Sequence, residues 1–184
     1  MTNQFVKYVV NLFKDVPVYV YEVLGLVFII GTVLMFALGG FKKGIRYSSR
    51  LLIAEYVVLL FSTTVIFRSY RRRLKYDFHP FWSYDALQNG GEKLLPEIIM
   101  NVVVFVPVGL ILGCAFRSMA WWKVVLIGGG VSMCIEAMQY FYNRGFAETD
   151  DVMHNTIGCL MGFGIYSLAR YGYERIGKRS VDVG

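Results

Sequence analysis

Five stretches of this chain are apolar over close to the length that crosses a bilayer as a helix, about 20 residues. They are 16–38, 51–67, 98–116, 124–142 and 152–169. Buried helices of a soluble bundle are the other source of such runs. Here 56% of the 184 residues are hydrophobic, and five such runs leave no amphipathic helix to form a water-facing surface. The expected fold is therefore all-α, an integral membrane bundle of about five transmembrane helices. The second run is the shortest and carries Glu55.

The first apolar run starts late and is too long for a cleavable signal core, so it reads as a signal anchor. Before it, Phe5, Val6, Val9, Val10 and Phe13 lie opposite Lys7 and Lys14, a spacing that predicts a short interfacial helix. The chain divides into an N-terminal interfacial segment (1–15), a first transmembrane helix with a basic loop (16–49), a main transmembrane domain (50–171) and a basic tail (172–184). The net charge of +6 sits in the loops, which matches anionic lipid headgroups and not a nucleic acid.

Five helices put the termini on opposite sides. Nine basic residues then fall on the N-terminal side and ten on the other, so the positive-inside rule is balanced. The N-terminal side also carries a 27-residue loop, 68–94, rich in arginine and aromatics. A loop of that length in a compact protein is usually functional. This places the N-terminal side outside and the C-terminus in the cytoplasm.

Polar side chains within a bilayer are costly, and each needs a reason. Asn101 stands near the start of the third run, Glu136 and Gln139 near the end of the fourth, and His154 and Asn155 at the start of the fifth. Because helices alternate direction, all of these lie at one end of the bundle. Glu136 and Gln139 are three apart and share a helix face, as do Asp151 with His154 and Asn155. Glu136 lies six residues before Tyr142, roughly 9 Å below the helix end. Interhelical hydrogen bonding alone can explain the amides. It explains a buried carboxylate less well, since no cation on its own helix neutralises Glu136.

Between the fourth and fifth runs, Thr149, Asp150 and Asp151 stand where helix caps stand, and their charge suits the positive end of a helix. Arg144 either pairs with these acids or binds a phosphate or carboxylate. The cluster of Arg71, Arg72 and Arg73 reads as a rim that meets headgroups, with Phe81, Trp82 and Tyr84 at the membrane interface. Gly109 with Gly113, and Gly158 with Gly162, are each four apart, a spacing that lets helix backbones approach. Pro107 frees a backbone carbonyl inside the third helix. Cys114, Cys134 and Cys159 all lie in apolar runs and read as packing residues. Neither the cysteines nor the two histidines have zinc-site spacing, and no nucleophile elbow or phosphate loop is present. No metal or cofactor is expected.

Four ordered blocks then carry a resemblance. They are Asn101-x-x-x-Phe105-x-Pro107-x-Gly109, Glu136-x-x-Gln139, Arg144-Gly145-Phe146 and Asp150-Asp151-Val152-x-His154-Asn155-Thr156-x-Gly158. Over roughly 50–171 the chain resembles the VanZ-like family, and Pro80-Phe81-Trp82-Ser83-Tyr84 is similar to the aromatic segment that precedes these blocks there. The resemblance implies a bacterial membrane protein that acts as an accessory factor in glycopeptide (teicoplanin) resistance or in envelope homeostasis. It also supports an outward-facing N-terminal side.

Two functions fit. In the first, the protein binds membrane lipid, a lipid-linked cell-wall precursor or a lipoglycopeptide in an outward polar pocket. Asn101, Gln139, Arg144, Asn155, Arg71, Arg72 and Trp82 then contact the ligand. In the second, it is an intramembrane enzyme on a polyprenyl-phosphate precursor, with Glu136 as acid or base and Asp150, Asp151 and His154 assisting. Proton-coupled transport is a third option, suggested by the depth of Glu136 alone.

Overall fold

The structure, a computed structural model, describes residues 6, 10, 13–70, 76–91 and 94–181, without the side chains of 42 and 177–181. It is an all-α bundle. Its elements are α1 (Val18–Phe41), α2 (Lys43–Ile66), α3 (Trp82–Gln88), α4 (Leu95–Ala115), α5 (Trp121–Tyr142) and α6 (Thr149–Val181), with two short strands, β1 (Tyr76–Asp77) and β2 (Ala147–Glu148). Among the described residues α1, α2, α4 and α5 are long and apolar enough to cross a membrane. In α6, His154 and Asn155 at one end and Arg170, Glu174 and Arg175 at the other dilute the apolar stretch.

The first two helices are separated by a single residue, not by a basic loop. Gly40 leaves the helical region with φ 66° and ψ 179°, a conformation that suits glycine. The chain then reverses, because a Cβ at Gly31 would run into the Leu51 side chain, twenty positions on. Residues 43–50, expected as loop, are helical. Their charge does not exclude them from the helix, since basic side chains reach the interface along their own apolar stems. Arg50 lies over the rings of Tyr47 and Phe116, at 5.4 and 4.9 Å. The last turn of α2, Ser62–Ile66, is π-helical.

The core lies between α2, α4, α5 and α6, around Leu60, Phe105, Val108, Leu112, Val124, Ile135 and Cys159. The α4–α6 contact is the most extensive, and glycine makes it so. A Cβ on Gly109 would overlap the Cys159 carbonyl, one on Gly158 the Val102 carbonyl and one on Gly162 the Val106 carbonyl. The expected small-residue seam is therefore real. Near the turn opened by Pro107, the Tyr56 hydroxyl donates to the Val104 carbonyl at 2.8 Å. All three cysteines are free thiols, and Cys159 is buried.

At the N-terminal end Val6, Val10 and Phe13 are helical, and the Lys14 amide donates to the Val10 carbonyl at 3.0 Å. The remainder of the expected interfacial helix lies outside the described residues. At the other terminus α6 continues to Val181, so most of the expected tail extends this helix.

Candidate functional site

The hairpin of α1 and α2 returns the chain to its starting end. There the end of α2, the start of α4, the end of α5 and the start of α6 meet. Between them lies a cavity of about 550 Å³. Its walls include Lys14, Asp15, Thr63, Thr64, Arg68, Glu97, Asn101, Glu136, Gln139, Phe146, Asp151 and Asn155. Of the expected set Asn101, Glu136, Gln139, His154 and Asn155, all but His154 line this cavity, together with Asp151. Their convergence follows from alternating helix direction.

Glu136, Gln139, Asp151 and Asn155 each have a definite partner. Glu136, 7% exposed, accepts the Glu148 amide through Oε2 at 3.0 Å. Asp151 accepts the Asn101 side-chain amide at 2.5 Å. Asn155 donates to Ser132 Oγ at 2.7 Å. Gln139 sits between the Phe146 carbonyl and Arg68. With its amide oriented to suit both, it donates to the first at 3.1 Å and accepts from the second at 3.2 Å. Gly145, at φ 110°, lets Arg68 and Gln139 come this close, because a Cβ there would fall within 3 Å of both.

Four residues expected at the site, Asp150, Arg144, His154 and Trp82, do not line the cavity. Asp150 is fully buried and clamps the start of α3. One oxygen accepts the Phe81 amide at 2.7 Å, and the other accepts the Ser83 amide at 3.0 Å and the Ser83 hydroxyl at 2.5 Å. It caps a helix, but across 67 and 69 residues of chain, not its own. Arg144 does not pair with the acids. Its guanidinium donates to the Val65 and Ile66 carbonyls, filling acceptors that the end of α2 leaves open. The Nε2 of His154 lies 3.0 Å from the Tyr84 hydroxyl, and its Nδ1 has no partner among the described residues. Trp82 stacks edge-on against Phe146, with centroids 5.9 Å apart. Arg71 and Arg72 lie outside the described residues.

These contacts lie beside the cavity, and no residue of 76–88 is part of its wall. Parallel pairing of β1 with β2 sets Tyr76 beside Ala147 and Asp77 beside Glu148. With the Asp150 clamp, Tyr84 on His154 and Trp82 on Phe146, the segment 76–88 is pinned to the α5–α6 turn.

Sequence reasoning missed Arg68, Glu97 and Glu148 as site residues. Glu97 precedes Asn101 by four positions, a same-face signal that was available. Arg68 was grouped with its basic neighbours. Glu148 carries no spacing signal, because a two-residue strand positions it. Burial, then the neighbouring carboxylates of Asp151, Glu97, Glu136 and Asp150, pushes the Glu148 carboxyl up to about 9.

Glu136 and Glu148 also border a second space. On the other side of α5, Phe78, Met133, Ala137, Tyr140, Phe141, Val152 and Met153 line an apolar groove of about 380 Å³. Glu136 is common to the walls of both spaces.

Fold and site together define a helical membrane protein with a polar cavity at one end of its bundle. The family profile VanZ/LLP1 matches residues 49–170, and the chain belongs to that family. It is 30% identical over 73 residues to Protein VanZ of Enterococcus faecium, a stretch that covers 40% of this chain and 45% of that protein. The chain thus aligns with less than half the length of that relative. No solved structure matches.

Proposed function

We propose that this protein binds a lipid-linked or lipidated envelope molecule at its outward face, and that it acts as an accessory factor in glycopeptide (teicoplanin) resistance or envelope homeostasis. The observation that carries the reading is Glu136, which walls a polar cavity on one side and an apolar groove on the other. Two spaces of opposite character that share one wall residue suit an amphiphile, with its head in the cavity and its hydrocarbon chain in the groove. Membership of the VanZ/LLP1 family supports the resistance role.

The test replaces Glu136 with Gln and follows two readouts, teicoplanin sensitivity of cells and binding of a fluorescent lipid to purified protein. Parallel loss of tolerance and binding is expected. Unchanged tolerance together with unchanged binding overturns the reading and leaves Glu136 as a bond between helices.

One observation favours a second reading, intramembrane catalysis on a lipid-linked precursor. With its pKa near 9, the Glu148 carboxyl holds a proton at neutral pH beside Glu136, as a general acid requires. Tolerance lost in Glu136→Gln while lipid still binds would favour this chemistry.

A further inference from the structure

Resting on the amphiphile-binding reading, we propose that the headgroup taken by the cavity is a sugar and not a phosphate. Charge is the first argument. Among the described residues of the cavity wall, Asp15, Glu97, Glu136 and Asp151 face only Lys14 and Arg68 as bases. Arg68 is already engaged by Gln139 and packed against Gly145. A phosphate entering this space meets acidic side chains from α4, α5 and α6, Glu97, Glu136 and Asp151, with Lys14 the one base of the described wall not already engaged.

The second argument is what remains unsatisfied. Glu136 uses Oε2 on the Glu148 amide, and Asp151 uses Oδ1 on Asn101. Their other oxygens have no hydrogen-bond partner among the described residues, although both side chains border the cavity. They are polar atoms at the cavity wall, able to bond a ligand group that both donates and accepts. The amides of Asn101 and Asn155 stand beside them, each able to donate and accept. Vicinal hydroxyls fit this alternation, donating to a carboxylate and accepting from an amide. A phosphate diester offers acceptors alone. The aromatic ring of Phe146 in the same wall suits the apolar face of a pyranose.

The third argument is position. A sugar headgroup in the cavity lies across Glu136 from the apolar groove, so a single-chain or prenyl glycoside spans both without placing a charge among the acids.

The test uses the full chain in phosphatidylcholine nanodiscs and three fluorescent probes with the same dodecyl chain, headed by glucose, by phosphate and by ammonium. The glucoside is expected to bind about tenfold more tightly than the phosphate, and Glu97→Gln is expected to narrow that gap by admitting the phosphate. A phosphate probe that binds as well as the glucoside overturns the inference and leaves amphiphile binding intact. An ammonium probe that outcompetes both also overturns it, in favour of a cationic headgroup. If none of the three binds above empty nanodiscs, the amphiphile reading itself falls, and this inference with it.

Discussion

The helix α1 and the α4–α6 seam are both apolar and both of membrane length, yet they are held in different ways. None of the apolar window of α1 is buried inside the bundle, against 44% of that of α4. Gly25 in α1 has nothing within 4 Å of where a Cβ would stand, whereas Gly109, Gly158 and Gly162 lie against carbonyls of the opposite backbone. The family match begins at residue 49 and leaves α1 outside it. Hydrophobicity suffices to put a helix into a bilayer, but inside the bilayer it does not attract one helix to another. Close packing does, and it sets the polar ends of α4, α5 and α6 at one depth. The seam is therefore part of the site's construction, and α1 is an accessory leg.

The largest effect is expected at that seam. Gly158→Ala places a methyl on the Val102 carbonyl, and neither backbone yields cheaply. Overpacking of this kind costs about 3 kcal/mol, enough to abolish recovery of folded protein at many expression temperatures. Size-exclusion profiles and thermal unfolding in detergent check it. A fully stable Gly158→Ala protein would mean that α4 and α6 slide freely, and the contrast with α1 would lose its basis.

That seam was legible in the sequence, because four-residue glycine spacing on two helices has one common use. The convergence of Asn101, Glu136 and Asp151 was legible for a similar reason, since direction alternates along a helical bundle. The extent of α2 was not. Lys43, Arg46 and Arg50 look like loop residues until the chain is seen to turn at Gly40. Nor could the sequence tell where Asp150 and Arg144 point. Their partners stand 67 to 79 residues away, in segments with no periodicity to announce them. Local spacing reports what shares a helix face. It does not report which distant backbone amide or carbonyl will take a charge.

A smaller effect, confined to segment 76–88, is expected from Asp150→Ala. The substitution strands the Phe81 and Ser83 amides and frees the start of α3. Losing hydrogen bonds to a buried carboxylate costs roughly 2–3 kcal/mol. The membrane helices retain their seam, so the loss falls on segment 76–88. Limited proteolysis is expected to cut there in the variant well before it cuts the native protein, while Asp150→Asn, which keeps one acceptor, stays between the two. Equal protection in all three would show that the strand pairing at Tyr76 and Asp77 holds the segment unaided.

The smallest effect is expected from Gly25→Ala in α1. The added methyl meets no atom of the chain, and alanine is the better helix former by about 1 kcal/mol in water, a gain that shrinks where α1 is already helical in lipid. The expected change in unfolding temperature is therefore close to zero or slightly upward, measured beside Gly158→Ala in the same detergent. The informative failure lies in the other direction. If Gly25→Ala destabilised the protein as Gly158→Ala does, the exposed face of α1 would have to be in close contact with something outside this chain, a second copy or another membrane helix. The accessory leg would then be an interface. A matched Gly25→Ala measurement in nanodiscs holding one protein each removes contact with a second copy, so a destabilisation lost there assigns the contact to that copy.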